Sequence, residues 1–580
     1  MAAKPKRYSA VSTKKASGAT YTPVELAQFV ADQMVQTISR LDPAFRKRKR
    51  LRILDPAVGN GQLLVSLIEK LQEEVSPGAS MEVVGFDLDD RAVRKARRRL
   101  SKMEVDATVT VRKSDYLKRN LDDEQQFDFI IANPPYVRTQ VMGAEESRAL
   151  AKRFGLKGRV DLYHAFVSAI GKSLRSDGVA GIIVSNRFMT TRSGQGVRSV
   201  FANEFCVHGV WDFGDTKLFD AAVLPAVIVA SGTQLPNSDN IKFSSVYESS
   251  SPTTAVSPVG KADGVFPAML NNDHSCEIDI SDGRRLSVQH GRLDAGEDSS
   301  QVWRLATAES DEWLATVAKN TWKSFGDIGA IRVGVKTCAD KVFIRDDWDS
   351  LEKLDRPELL KRLTTHHVAR PFRAKHAPDS KRPKRILYPH RAIRQNSPKK
   401  KVAVDLDKFP KAKAYLLSHA KELRSRKYVA KAGREWFEIW VPQDPSQWKK
   451  TKLVFRDIAA KPCFWIDKTG SVVNGDCYWL TSDADSEDLL WLAAAVGNST
   501  FIEQFYDHRF RNKLYAGRRR FLTQYVQEFP LPKPALKRSR KIVDLARSIH
   551  ADPENKATPA RIEKADQLVW KSFGLCKNAR

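Results

Sequence analysis

Leu51-Arg52-Ile53-Leu54-Asp55-Pro56-Ala57-Val58-Gly59-Asn60-Gly61 is a short apolar run that ends in an acid and opens into a glycine turn. Behind the turn, residues 62–73 carry Leu63, Leu64, Leu67, Ile68 and Leu71 at helical spacing. A strand passing through a tight turn into a helix is one unit of an α/β sheet, and the chain repeats it. Residues 81–86 read as a second strand and 89–100 as a basic helix. Residues 108–112 alternate like a strand, and 127–132 form the nearly continuous apolar run of a strand buried on both faces. Residues 161–174 read as a helix, and 179–185, 207–213 and 222–230 as further strands. Strands alternating with helices predict a mostly parallel sheet covered on both faces. Ligands of such sheets sit at the carboxyl ends of the strands.

The 580 residues are too many for one compact domain, so two or three are expected. Between residues 236 and 264 the composition shifts, and Ser, Thr and Pro dominate 249–258. That shift predicts two domains, residues 1–250 and 251–580. No run approaches the roughly 20 uncharged apolar residues of a membrane span. The basic N-terminus is followed by no apolar segment of the kind that secretion signals carry. A soluble cytoplasmic protein is the expectation. None of the six cysteines forms a CxxC pair, so they read as reduced thiols and no metal is implied. The 97 Lys and Arg against 69 Asp and Glu give a net charge of +28, which points to a polyanionic partner. The excess is spread over runs at 46–50, 94–99, 399–401, 518–520 and 537–541, and each run alone reads as a solvated face.

Gly59 and Gly61 let backbone pass close to a ligand, and a helix N-terminus behind them favours a carboxylate. Leu64 stands where a dinucleotide fingerprint needs its third glycine, which argues against NAD or FAD. In Gly85-Phe86-Asp87-Leu88-Asp89 the acid Asp87 ends the second strand and suits two ribose hydroxyls. Asp89 or Asp90 can cap the next helix, which leaves Asp87 free for that task. Asp115 follows the third strand, so Asp55, Asp87 and Asp115 would line one side of a single crevice.

Asn133-Pro134-Pro135-Tyr136 follows the buried run directly. Two prolines make a rigid corner without backbone donors, so its carbonyls are free acceptors. The Asn133 amide oxygen is a second acceptor. Two acceptors side by side suit an NH2 group. Bonding both its protons draws the nitrogen toward tetrahedral geometry and frees its lone pair to attack a sulfonium methyl. Tyr136 offers a flat face for a planar base.

Four motifs stand in the order found in the gamma-class, Taq-type N6-adenine DNA methyltransferases. Gly18-Ala19-Thr20-Tyr21-Thr22-Pro23 resembles their N-terminal cofactor motif, and residues 55–61 resemble their cofactor loop. Asn133 to Tyr136 is similar to their catalytic motif in full. Phe219, in Lys217-Leu218-Phe219-Asp220, falls where they place a second aromatic. The resemblance covers residues 18–231. It implies a Rossmann-like, S-adenosylmethionine-dependent α/β domain and a C-terminal α+β target-recognition domain. By resemblance, Tyr21, Thr22 and Pro23 contact the methionine end of the cofactor. Asp55, Ala57, Gly59 and Gly61 shape its pocket, Asp87 binds the ribose hydroxyls, and Asp115 binds the cofactor's adenine amine. Asn133 and the carbonyl of Pro134 hold the target N6 at the corner that Pro135 stiffens. Tyr136 and Phe219 sandwich the flipped base.

The implied partner is double-stranded DNA at a specific sequence, with a cognate type II restriction endonuclease acting separately. The segment Gly334-Val335-Lys336-Thr337-Cys338-Ala339-Asp340-Lys341 is similar to one that recurs in the family's C-terminal half. Cys338 and Asp340 replace an expected Gly and Asn, so no contact role is assigned there. Trp436, Trp440, Trp465, Trp479 and Trp491 read as core residues. Pro462-Cys463 lies outside the sheet motifs, which argues against cytosine-C5 chemistry. The same acceptor pair would also serve N4 of cytosine, an rRNA base or a protein glutamine. A catalytically inactive DNA-specificity protein is the alternative of another class. Asn rather than Ser at the motif's head favours adenine, and the long basic C-terminal half favours DNA.

Overall fold

The computed structural model describes residues 21–119, 127–137, 143–156, 160–219, 224–235, 240–249, 260–270, 274–352, 355–375, 384–392, 401–511, 514 and 517–577. The chain forms two compact units. The first runs to Ala308 and includes Phe510–Gly517, and the second comprises Glu309–Arg509 and Arg518 onward.

The first unit is built on one 12-stranded sheet. Its strands are β1 (Arg50–Asp55), β2 (Ser80–Asp87), β3 (Ala107–Lys113), β4 (Phe127–Ala132), β5 (Leu174–Ser185), β6 (Cys206–Asp212), β7 (Pro225–Ser231), β8 (Lys242–Glu248), β9 (Gly260–Ala262), β10 (Cys276–Ile280), β11 (Arg285–Asp294) and β12 (Arg304–Ala306). The order is β3-β2-β1-β4-β5-β7-β6-β8-β11-β10-β9, with β12 beside β11. From β3 to β5 every pairing is parallel, as the strand–helix alternation predicts. The sheet as a whole is mixed, because β7 lies antiparallel between β5 and β6. The carboxyl ends of β1 to β6 therefore share one edge. Helices α1 (Val24–Leu41), α2 (Gln62–Glu74) and α3 (Asp90–Leu100) belong to this half.

The domain boundary expected at 250 falls instead at Ala308. The reason is that β8 pairs along its length with β11, and β10, β9 and β12 add to β11 and its neighbour. The change in composition marks a connection within the sheet; residues 250–259 lie outside the described residues.

Helix α1 buries Leu26, Val30 and Met34 at 0% exposure. Gly181 on β5 makes room for it, since a Cβ there would collide with Met34 Sδ and stand 2.6 Å from Val30 Cγ1. Part of the basic charge is used inside the unit. Arg48 pairs with Asp42, Asp128 and Asp177 at 2.9, 2.7 and 2.9 Å, and Arg46 pairs with Glu74 at 2.6 Å. Asp128, on the buried β4, also accepts from Arg52 N at 2.8 Å.

The second unit centres on a five-stranded sheet in the order Ile331–Val333, Cys477–Leu480, Lys452–Arg456, Phe464–Asp467, Phe372–Arg373. Its core holds Trp348, Trp448, Trp465 and Trp479, all fully buried. Trp491 is buried too, while Trp436 and Trp440 are half-buried. Among the described residues no helix is long and apolar enough to cross a membrane, and no group of three or more His, Cys, Asp or Glu could hold a metal ion.

Candidate active site

The parallel register sets the ends of β1, β2, β3 and β4 side by side. After β1 the chain turns through Gly59 (φ +53°) and Gly61 (φ +81°), both in the left-handed region. Val58 N donates to Phe86 O and Gly61 N to Val58 O, each at 2.8 Å, so the turn is stitched to β2. A Cβ on Gly61 would stand 3.1 Å from Ala96 Cα of α3. Only glycine gives both the dihedral and the clearance.

Asp55 closes β1 at 0% exposure. Its Oδ1 accepts from Ala57 N at 2.9 Å, while Oδ2 is buried without a partner. Burial pushes this carboxyl up to about 8; the Ala57 N–H opposes that and the nearby Asp87 adds to it. Asp87 closes β2, half-buried, with Oδ2 accepting from Gly59 N at 2.9 Å and Oδ1 from Asp89 N at 2.8 Å. The helix cap belongs to Asp89, which accepts from Arg91 N at 2.9 Å. Each Asp87 oxygen thus keeps a lone pair. Asp115 accepts from Leu117 N at 3.1 Å and lies 3.4 Å from Lys118 Nζ, so it also caps the short turn Tyr116–Lys118.

Tyr21 to Pro23 lead into α1 across this edge. Tyr21 Cδ1 is 3.7 Å from where a Gly59 Cβ would be, and Lys95 Nζ sits 5.3 Å from the ring centroid. Pro23 O accepts from Ala27 N at 3.0 Å as α1 begins. Thr22 reaches β4's end: Asn133 Nδ2 donates to Thr22 Oγ1 at 3.0 Å. Asn133 Oδ1 is buried with no partner. Pro134 beside it is buried, and Pro135 is half-buried. The Tyr136 ring lies 6.3 Å from that of Tyr163, and its hydroxyl donates to Ile183 O at 3.4 Å. Burial drives that hydroxyl's pKa well above the ordinary tyrosine value.

Phe219, which the motif order pairs with Tyr136, is buried in this structure. It is 7% exposed and packs in the cluster that holds Phe29, Trp211 and Phe213. The segment before it is anchored from β8 and from the turn preceding β11: Glu248 N donates to Asp215 Oδ1 at 2.8 Å, and Arg284 Nη1 donates to Thr216 O at 2.8 Å. Tyr163, whose ring lies beside that of Tyr136, is in the sequence only one apolar position of a helix. A buried cluster at the ends of β5 and β6 was also passed over. Asp212 accepts from the Tyr247 hydroxyl at 2.6 Å, from Asn186 Nδ2 at 2.9 Å and from Gly214 N at 3.0 Å. An acid at the end of a predicted strand was its only signal.

Two orphaned buried oxygens, Asp55 Oδ2 and Asn133 Oδ1, and a floor of left-handed glycines suit a ligand that is cationic at one end and a nucleoside at the other. Residues 81–219 match the family model of the Eco57I restriction-modification methylase. The chain is 34% identical to Type II methyltransferase M.BanIII of Aneurinibacillus aneurinilyticus, over 97% of this chain and 98% of the relative. It is 23% identical to Type II methyltransferase M.BstVI of Geobacillus stearothermophilus, over 89% and 90%. The solved type IIL restriction-modification enzyme MmeI shares the fold, with a TM-score of 0.59 at 15% identity over 98% of this chain and 78% of that one. The methyl donor is S-adenosylmethionine, the sulfonium nucleoside whose chemistry this edge fits. The chain belongs to the type II methyltransferases, the DNA-methylating enzymes of restriction–modification systems.

Proposed function

We propose that this enzyme methylates N6 of an adenine flipped out of a specific double-stranded DNA site. The observation that carries the reading is Asn133 Oδ1: a buried acceptor with no partner, at the end of the central strand, beside a proline corner that offers acceptors only. A buried acceptor left unmet costs about 1–3 kcal/mol, which a donor entering from the substrate recovers.

The bound cofactor supplies an electrophilic methyl on a sulfonium. The chain supplies the rest. Asp87 would hold the ribose hydroxyls and Asp115 the cofactor's adenine amine. Asp55, Ala57, Gly59 and Gly61 would form the pocket, with Tyr21, Thr22 and Pro23 at the methionine end. Asn133 Oδ1 and the Pro134 carbonyl would accept the two protons of the target amine, leaving its lone pair to the methyl; one of those protons then passes to water. Positioning of this kind replaces a covalent nucleophile. Tyr136, backed by Tyr163, would stack on the base; Phe219 would supply the second aromatic face. Unstacking the base costs a few kcal/mol.

The second unit would grip the duplex, in the cytoplasm where host DNA lies, and a separate endonuclease would cut the same unmodified sequence. Asn133→Ala should keep cofactor binding, read by calorimetry, and lose methyl transfer by roughly 100-fold or more. Near-normal turnover would refute the assigned role.

A further inference from the structure

We infer that Thr22 is a positioning residue for the catalytic amide, fixing the Asn133 oxygen, and not its NH2, as the group that meets the target base. This rests on the reading of Asn133 just given. A side-chain amide has two orientations of nearly equal shape, one presenting an acceptor and the other two donors. Only the first can receive an amine. The next two residues, Pro134 and Pro135, have no N–H, so the corner itself offers nothing that would bond the oxygen in place or reward one orientation.

The fixing contact comes from 111 residues away, where Thr22 Oγ1 accepts from Asn133 Nδ2 at 3.0 Å. With Nδ2 held there, the enclosed and unpartnered Oδ1 is the atom left for substrate. A hydroxyl has one proton. Were Thr22 to give it to the carboxylate at the methionine end of the cofactor, its oxygen could only accept from Asn133. The amide would then be locked with its oxygen toward the base. One hydroxyl, already bonded to Asn133, would then link the cofactor site to the base site.

The test compares duplexes carrying adenine or purine, which lacks the amine, at the target position, with S-adenosylhomocysteine saturating. Wild type should bind the adenine duplex at least about tenfold more tightly, since purine forfeits the bonds to both Asn133 and the Pro134 carbonyl. Thr22→Val should lose most of that preference and about tenfold or more of kcat at saturating cofactor. Thr22→Ser should keep both within about twofold, which also separates loss of the hydroxyl from loss of fold. A Thr22→Val enzyme that weakens only cofactor affinity, with preference and saturated kcat intact, overturns the inference. Should Asn133→Ala itself keep the preference, the reading of Asn133 falls instead, so the two failures are distinct.

Discussion

At the scale of the residue, the site combines a carboxyl held against its solution preference with an amide held in one orientation. Asp55 is raised from about 3.8 to about 8. Between those values the folded chain keeps a proton that the unfolded chain has lost. Unfolding free energy from this group therefore falls as pH rises through that window, by at most about 1.4 kcal/mol per pH unit. Asp55→Asn should flatten the slope and leave the protein more stable than wild type near pH 8, as read by chemical denaturation across pH. A wild-type slope unchanged by the substitution would show that Asp55 ionises normally. Part of this was legible in the sequence: the acids at successive strand ends and the Asn-Pro-Pro-Tyr corner stand in short local motifs. Phe219's burial was not. The cluster that buries it, with Phe29, Trp211 and Phe213, comes together only in the packed sheet. The Thr22–Asn133 bond joins two motifs read as separate, one for cofactor and one for base.

At the scale of the element, glycines decide how the strands, turns and helices approach each other. Gly61→Ala meets both a left-handed φ and the Ala96 backbone at 3.1 Å. It should cost about 1–3 kcal/mol of stability and weaken cofactor binding with it. Gly181→Val would push α1 from β5 and displace Thr22 at its head. Loss of about 2 kcal/mol together with reduced kcat is expected, and unchanged thermal unfolding would contradict this packing of α1 on β5. The parallel half was readable because each strand–turn–helix unit is local. The reversal of β7 was not, since its place between β5 and β6 is a long-range choice of partners. Nor were β9 to β12, where β9 is three residues with two of them exposed. In the second unit, Cys338 stands at φ +54°, which gives the physical reason a glycine was expected at that position.

At the scale of the whole molecule, a net charge of +28 suits a DNA enzyme, yet the runs that produce it are not equivalent. Arg519 is clamped by Asp507 at 2.8 and 2.7 Å, and Arg520 by Asp457 at 3.1 and 3.2 Å. Arg519→Ala should therefore destabilise the second unit and leave the salt dependence of DNA affinity unchanged. A salt slope shallower by about one would make it a phosphate contact. Sequence alone shows only that the arginines are clustered; which are neutralised depends on where distant aspartates fold.

The proposed target of the enzyme is N6 of adenine. DNA from a host expressing the wild-type enzyme and from one expressing Asn133→Ala, digested to nucleosides and analysed by mass spectrometry, tests it directly. N6-methyladenine is expected with the first and background with the second. N4-methylcytosine, or N6-methyladenine at equal levels in both, would contradict it.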